Sequence, residues 1–153
     1  MRKLLLAGLL LAGACKTRTI DVPVTAPAPV TAVPKAAIGP RPALDAFLAA
    51  IKAQDLQALA VAWGDKTGPV RDTKAFSREE MEQREIILLR CFRHDRTRVL
   101  GDAPAAGGER NFQVELMRGT VTRVADFLVV QGPDRWYVRS ANMDAVKDLC
   151  SAK

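Results

Sequence analysis

Two hydrophobic periods divide this chain, a helical one in its middle third and an alternating one towards its end. Leu44, Phe47, Leu48 and Ile51 recur at i, i+3, i+4 and i+7, which predicts an amphipathic helix starting near Ala43. Asp55 can cap a second segment, in which Leu56, Leu59, Ala60 and Trp63 repeat the spacing. Residues 43–63 therefore read as two helices, or one helix bent near 53–55, stopped by Gly64. Gly68-Pro69 keeps the following loop, 65–74, from being regular throughout.

The next helix carries the strongest start signal. Ser77 and Glu80 form an S-x-x-E capping box, and Phe76 and Met81 suit a hydrophobic staple. Glu79, Glu80 and Glu82 complement the positive end of the helix dipole, and Arg90 and Arg93 the negative end. The predicted helix covers 78–92. Its charged residues, including Glu80, Arg84, Glu82 and Glu85, read as a solvated face. Its second half, with Ile86 to Leu89, Cys91 and Phe92, is apolar on more than one face and is expected to be buried by a sheet.

After Asp95 the period becomes two. Residues 97–100 predict a short strand, 102–108 a loop, and 111–118 a strand with Phe112, Val114 and Leu116 on one face. Gly119 marks a hairpin into a long strand, 120–131. Its apolar run Phe127, Leu128, Val129, Val130 implies a central strand covered on two sides, bent or bulged on the way. After the Gly132-Pro133-Asp134 turn, Trp136 and Val138 point inward from a last strand, and 144–149 form a short helix. The expected class is α+β, with N-terminal helices packed on a curved antiparallel sheet.

The chain opens with MRKLLLAGLLLAGAC, in which Arg2 and Lys3 precede a short apolar run and small residues. That is the pattern of a secretory signal over 1–14, too short to span a bilayer. Ala12-Gly13-Ala14-Cys15 resembles the lipobox of bacterial lipoproteins, although Ala12 stands where Leu is usual. The resemblance implies cleavage before Cys15 and a lipid on its sulfur. The other reading is an A-x-A site for ordinary signal peptidase and a freely secreted chain. Lys16 in place of Asp implies sorting to a periplasm-facing outer membrane. Residues 15–42, with prolines at 23, 27, 29, 34, 40 and 42 and no aromatic residue, read as a disordered tether of partly polyproline-II character. The folded domain is expected over 43–153.

The formal charge of the 153-residue chain is +6, and losing Arg2 and Lys3 with the leader lowers it to +4. The charges are mixed in sign, with no long basic run, which argues against nucleic-acid binding. No cofactor is expected, since phosphate-loop, dinucleotide and nucleophile-elbow motifs are missing. A metal site would need nearly every cysteine and the single His94, without any C-x-x-C or H-x-x-x-H spacing, and is rejected. With Cys15 assigned to lipid, Cys91 and Cys150 remain as an even pair in an oxidising compartment, where a disulfide is expected. The alternative is two buried free thiols.

FLAAIKAQDLQALAVAW at the front and VADFLVVQGPDRWYV at the back give three helical segments followed by a meander of long bent strands. This order resembles the nuclear transport factor two-like superfamily, which includes ketosteroid isomerases and polyketide cyclases, over residues 43–150. The resemblance implies a cone-like domain enclosing a pocket. Asp126 interrupts the apolar stretch 124–130, and a carboxylate kept from water can act as a general base. It can equally sit at a strand edge, paired with Arg123 or Arg139. His94 could work with Asp95, but its position past a helix end favours a surface or capping role. Trp63, Trp136 and Tyr137 are candidate lining for an apolar pocket, or core.

The leading expectation is a non-enzymatic binding or scaffold module, held at a membrane by its lipid, for a small apolar ligand or an envelope protein. A small lyase or isomerase using Asp126 is the alternative, and a homodimer through an open sheet face, with Leu128 and Val130 at the interface, is a third class. Replacing Cys15 with Ser is expected to move the protein from the membrane to the soluble fraction on fractionation; an unchanged distribution contradicts lipidation.

Overall fold

The computed structural model describes residues 38–151. The expected signal segment 1–14, the expected lipid site Cys15 and the expected tether as far as residue 37 lie outside the described residues. Helix α1, Pro40–Ala53, starts three residues before the predicted Ala43. Pro40 and Pro42, expected in the tether, occupy its first turn. A proline there loses nothing, because the first amide hydrogens of a helix have no partner inside it. The bend falls at Gln54, in left-handed backbone with φ 56°. Its side-chain amide donates to the carbonyls of Ile51 at 2.7 Å and Leu89 at 3.0 Å, tying the bend to the third helix. Helix α2, Leu56–Ala62, is capped as predicted: the Asp55 carboxylate accepts from the amides of Gln57 and Ala58, each at 3.0 Å.

The predicted irregular loop contains a two-stranded hairpin, β1 (Gly64–Asp65) and β2 (Gly68–Pro69), then a 3-10 turn over Val70–Asp72. Helix α3 spans Arg78–Cys91, and both halves of its capping box are made. The Glu80 amide donates to Ser77 Oγ at 3.2 Å, and the Ser77 amide to Glu80 Oε2 at 3.0 Å.

The main sheet is antiparallel and unclosed, in the order β3 (Arg96–Pro104), β4 (Arg110–Arg118), β5 (Val121–Gln131) and β6 (Trp136–Ala141). Its register places Phe112 beside Phe127 and Val114 beside Ala125. Strand β3 continues through 102–104, where a loop was predicted. The register steps from Val99 beside Val114 to Gly101 beside Gln113, so Leu100 is bulged out and the pairing with β4 resumes beyond it. Pro104 is tolerated because β3 is an edge strand. A second irregularity falls where Leu128 pairs with Ser140 and Val129 with Val138: the extra residue is Arg139 on β6, so this bulge lies on the neighbour of the long strand and not on the long strand itself. A 3-10 turn, Asp144–Val146, and helix α4, Lys147–Ser151, close the described chain.

The predicted one-face alternation holds on β4, where Phe112, Val114 and Leu116 are buried. On β5, Ala125, Phe127 and Val129 face the helices, and the Phe127 ring meets Phe47 of α1 edge-on at 6.1 Å. Val130 lies beside Tyr137 in register, and both are buried on the other face. The small β1–β2 hairpin covers that end: a Cβ on Gly64 would lie 2.6 Å from the Tyr137 ring, and one on Gly132 2.5 Å from it. Only glycine permits that approach. The central strand is thus covered twice, by a helix and by a hairpin the sequence did not announce.

The second half of α3 corrects another expectation. Helix α3 packs mainly on α1, α2 and α4, and only its end reaches the sheet, where Phe92 meets Phe127. Leu89, Cys91 and Phe92 are buried, but Ile86 is 56% exposed and Ile87 48%. Cys91 and Cys150 lie at disulfide distance, with Cα atoms 4.1 Å apart, linking the end of α3 to α4. A non-reducing intact mass two hydrogens below the reduced mass is expected. Cys150→Ala should lower stability to urea by about 4 kcal/mol on the loop-entropy account; equal masses or unchanged stability contradict the bridge.

Candidate functional site

A cleft of about 350 Å³ opens between α3 and β6. That is within the roughly 300–1,000 Å³ of small-molecule sites. Phe47 and Val138, both core residues, form its floor. One wall is a stack of three planar groups. The Trp63 and Phe76 rings lie 6.1 Å apart at 20°, and the Arg84 guanidinium carbon sits 4.3 Å above the Phe76 ring. The Trp63 indole N–H donates to the Arg139 carbonyl at 3.4 Å, fixing the wall to β6. Ile87 and Met143 form the apolar rim, and Arg139 and Ser140 the polar one.

Local sequence explains why Arg84 stands there. The carboxylate one turn before it, Glu80, is committed to the Ser77 amide, and Glu82 pairs with Arg78 at 2.8 Å. Arg84 therefore lies on Phe76, and among the described residues no carboxylate is within ion-pair distance of it. Arg139 differs. Its Nη1 donates to Glu109 Oε1 at 2.8 Å, and Glu109, 5% exposed, also faces Lys66 at 3.6 Å. That carboxylate is shared by two cations, which holds the Arg139 guanidinium in place.

Of the three aromatic candidates, Trp63 alone lines this cleft. Tyr137 belongs to the core, and its hydroxyl donates to Asp134 Oδ1 at 2.5 Å. Burial first, and that hydrogen bond second, push the Tyr137 phenol up to about 12. Trp136 is half-buried beside Ile38 and Pro133, in a separate shallow depression.

Asp126 is half-buried on β5 and alternates with the core residues Ala125 and Phe127, so it faces away from the helices. The Asn111 amide donates to it at a long 3.5 Å. Neither arginine weighed as its partner takes that role: Arg123 bonds Asp148 and Arg139 bonds Glu109. Asp126 does not line the cleft. On the same outer face, Arg98 forks onto Glu115 at 3.1 and 3.2 Å, and Leu128 is half-buried. Val130, weighed as an interface residue, is covered within its own chain.

His94 is 5% exposed, so of the expected surface or capping role the structure keeps the capping half and not the surface one. Its Nδ1 lies 2.9 Å from the Phe92 carbonyl, and a carbonyl only accepts, so Nδ1 carries the hydrogen. Loss of solvent holds the ring below its ordinary value, partly offset by the Phe92 hydrogen bond. Asp95 does not orient it: its carboxylate accepts from the Gly119 amide at 2.7 Å, in the β4–β5 turn. His94 thus finishes the α3 terminus as a buried ring.

The sequence reading missed Glu85, assigned to the solvated face. It is 2% exposed, and its Oε1 has no hydrogen-bond partner. Met81, Glu85 and Leu89 follow one another at i, i+4 and i+8, so the helical register already placed Glu85 on the inner stripe. Burial raises its affinity for a proton, Glu82 adds to the effect, and Arg71 opposes it.

Among the described residues no cluster of three or more His, Cys, Asp or Glu could hold a metal ion, and no helix is long and apolar enough to cross a membrane. Compared with known proteins, the chain matches no family model, no curated protein and no solved structure.

Because the Glu85 shift is upward, the native state holds its proton more tightly than the unfolded chain does. The associated stability is fully present below the ordinary value of 4.5 and is lost as pH rises through the raised native value. Glu85→Gln, which stays neutral, should therefore gain stability over the parent at pH 7 compared with pH 4. Urea unfolding at the two pH values measures it, and a pH-independent difference contradicts the burial account.

Proposed function

We propose that this protein is a lipid-anchored binding module of the bacterial cell envelope whose α3–β6 cleft takes a small apolar ligand. The cleft carries the reading: an aromatic wall over a core floor, wide enough for a ligand and open to solvent. An apolar body laid along Trp63 and Phe76 leaves water at about 25 cal/mol per Å² of surface removed. The residues lining the cleft include two guanidinium groups and a hydroxyl but no carboxylate or imidazole. Such a lining grips a ligand and offers no group suited to proton transfer, which favours binding over a lyase or isomerase built on Asp126.

The remaining parts suit that role. The signal pattern and Cys15 support anchoring, and Lys16 supports the periplasmic side of an outer membrane. The Pro-rich segment would let the domain stand away from the bilayer. The order of helices before an antiparallel sheet supports a cone-like domain of the nuclear transport factor two-like kind.

Native mass spectrometry of the full protein, released gently from membranes, tests the reading. The expected result is a mass above that of the lipidated chain, lost on denaturation and absent from a Trp63→Ala variant. A bare chain mass that stays bare after incubation with a mixed envelope-lipid extract contradicts it.

A further inference from the structure

We infer that the ligand of this cleft is an amphipathic monoanion, an alkyl or aryl carboxylate, with its apolar body along the Trp63–Phe76 wall and its head group on Arg84. The inference rests on the binding reading above and adds the chemical class of the ligand.

The argument starts from charge. A guanidinium over an aromatic ring uses its face, and its five N–H donors lie in its plane, free to bond at the edge. Arg84 is held in this way on Phe76 and lines the cleft. Glu80, the acid one turn before it, is hydrogen-bonded to the Ser77 amide and feels the Arg84 charge without forming an ion pair with it. The second cation of the rim, Arg139, is held in an ion pair by Glu109, which it shares with Lys66. Among the described residues Arg84 is thus the cleft's one guanidinium outside an ion pair, beside an apolar volume. One such charge matches a single carboxylate, which a guanidinium edge can take with two parallel hydrogen bonds. A phosphate dianion would call for more cations than the rim supplies.

The apolar rim fits the rest of the ligand. Ile87, 48% exposed, lines the cleft on the same helix as Arg84, and Ile86 beside it is 56% exposed. An acyl chain longer than the cleft can continue over these side chains, giving a use to apolar surface that α3 leaves uncovered.

Titration calorimetry on the full protein tests this with three probes below their micellar concentrations: decanoate, decanol and decyltrimethylammonium. Decanoate should bind about tenfold more tightly than decanol, with decyltrimethylammonium weakest. Arg84→Met should bring decanoate down to the level of decanol, and Arg84→Glu should favour the ammonium probe. Arg90→Met, at an exposed position outside the cleft lining, should change nothing. Arg84 is itself exposed, so its variants are expected to fold. Equal binding of decanoate and decanol by the parent protein, or a preference that survives Arg84→Met, overturns the carboxylate inference and leaves the cleft reading standing. No binding of any probe overturns both.

Discussion

The Phe127 side chain holds the two halves of the fold to each other. It sits at the centre of β5, beside Phe112 in register, and meets Phe47 of α1 at 6.1 Å and Phe92 at the end of α3 at 5.3 Å. Each such ring pair adds about 0.5–1.5 kcal/mol beyond its buried area. All three rings are fully enclosed. Because α3 is pinned at this end, by Phe92 and by the Cys91–Cys150 link to α4, its earlier turns need not follow the sheet. They pack on neighbouring helices, and the space left between α3 and β6 is the cleft. The site is thus a consequence of where the aromatic junction falls.

The same geometry separates the polar groups by task. Glu80 closes a helix start, Glu109 bridges Arg139 and Lys66, Asp95 closes the β4–β5 turn, and Asp126 rests on the outer sheet face beside Asn111. These carboxylates serve structure away from the cleft. What remains at its mouth is the guanidinium of Arg84, and this asymmetry gives an apolar cavity a charge preference. Glu85 is the exception to satisfied burial: it sits on the inner stripe of α3 with one oxygen unpartnered.

Local rules made much of the fold legible. The Asp55 cap, the Ser77–Glu80 box and the alternation of Phe112, Val114 and Leu116 each specify an element from a few neighbouring residues, and each is present. The misses come from position in the whole. Pro40 and Pro42 read as tether, yet a first helical turn accepts them. The stretch 102–104 read as loop until the Leu100 bulge restored its register. Ile86 and Ile87 read as core, because their apolar character does not say which neighbour reaches them. The cleft was legible only through Trp63, since its other parts come from α1, α3 and β6, and Arg84 looked like one half of an ordinary surface pair. Trp136 and Tyr137 are equally aromatic and lie elsewhere, one in a shallow depression and one in the core.

The chain has two tryptophans, and only Trp63 lines the cleft, so their indole N–H signals form a built-in comparison. A proton–nitrogen correlation spectrum recorded during titration with decanoate tests the central claim most directly. The account predicts that the Trp63 indole signal moves in a saturable way while that of Trp136 stays in place. Movement of Trp136 alone, or of neither, would contradict it.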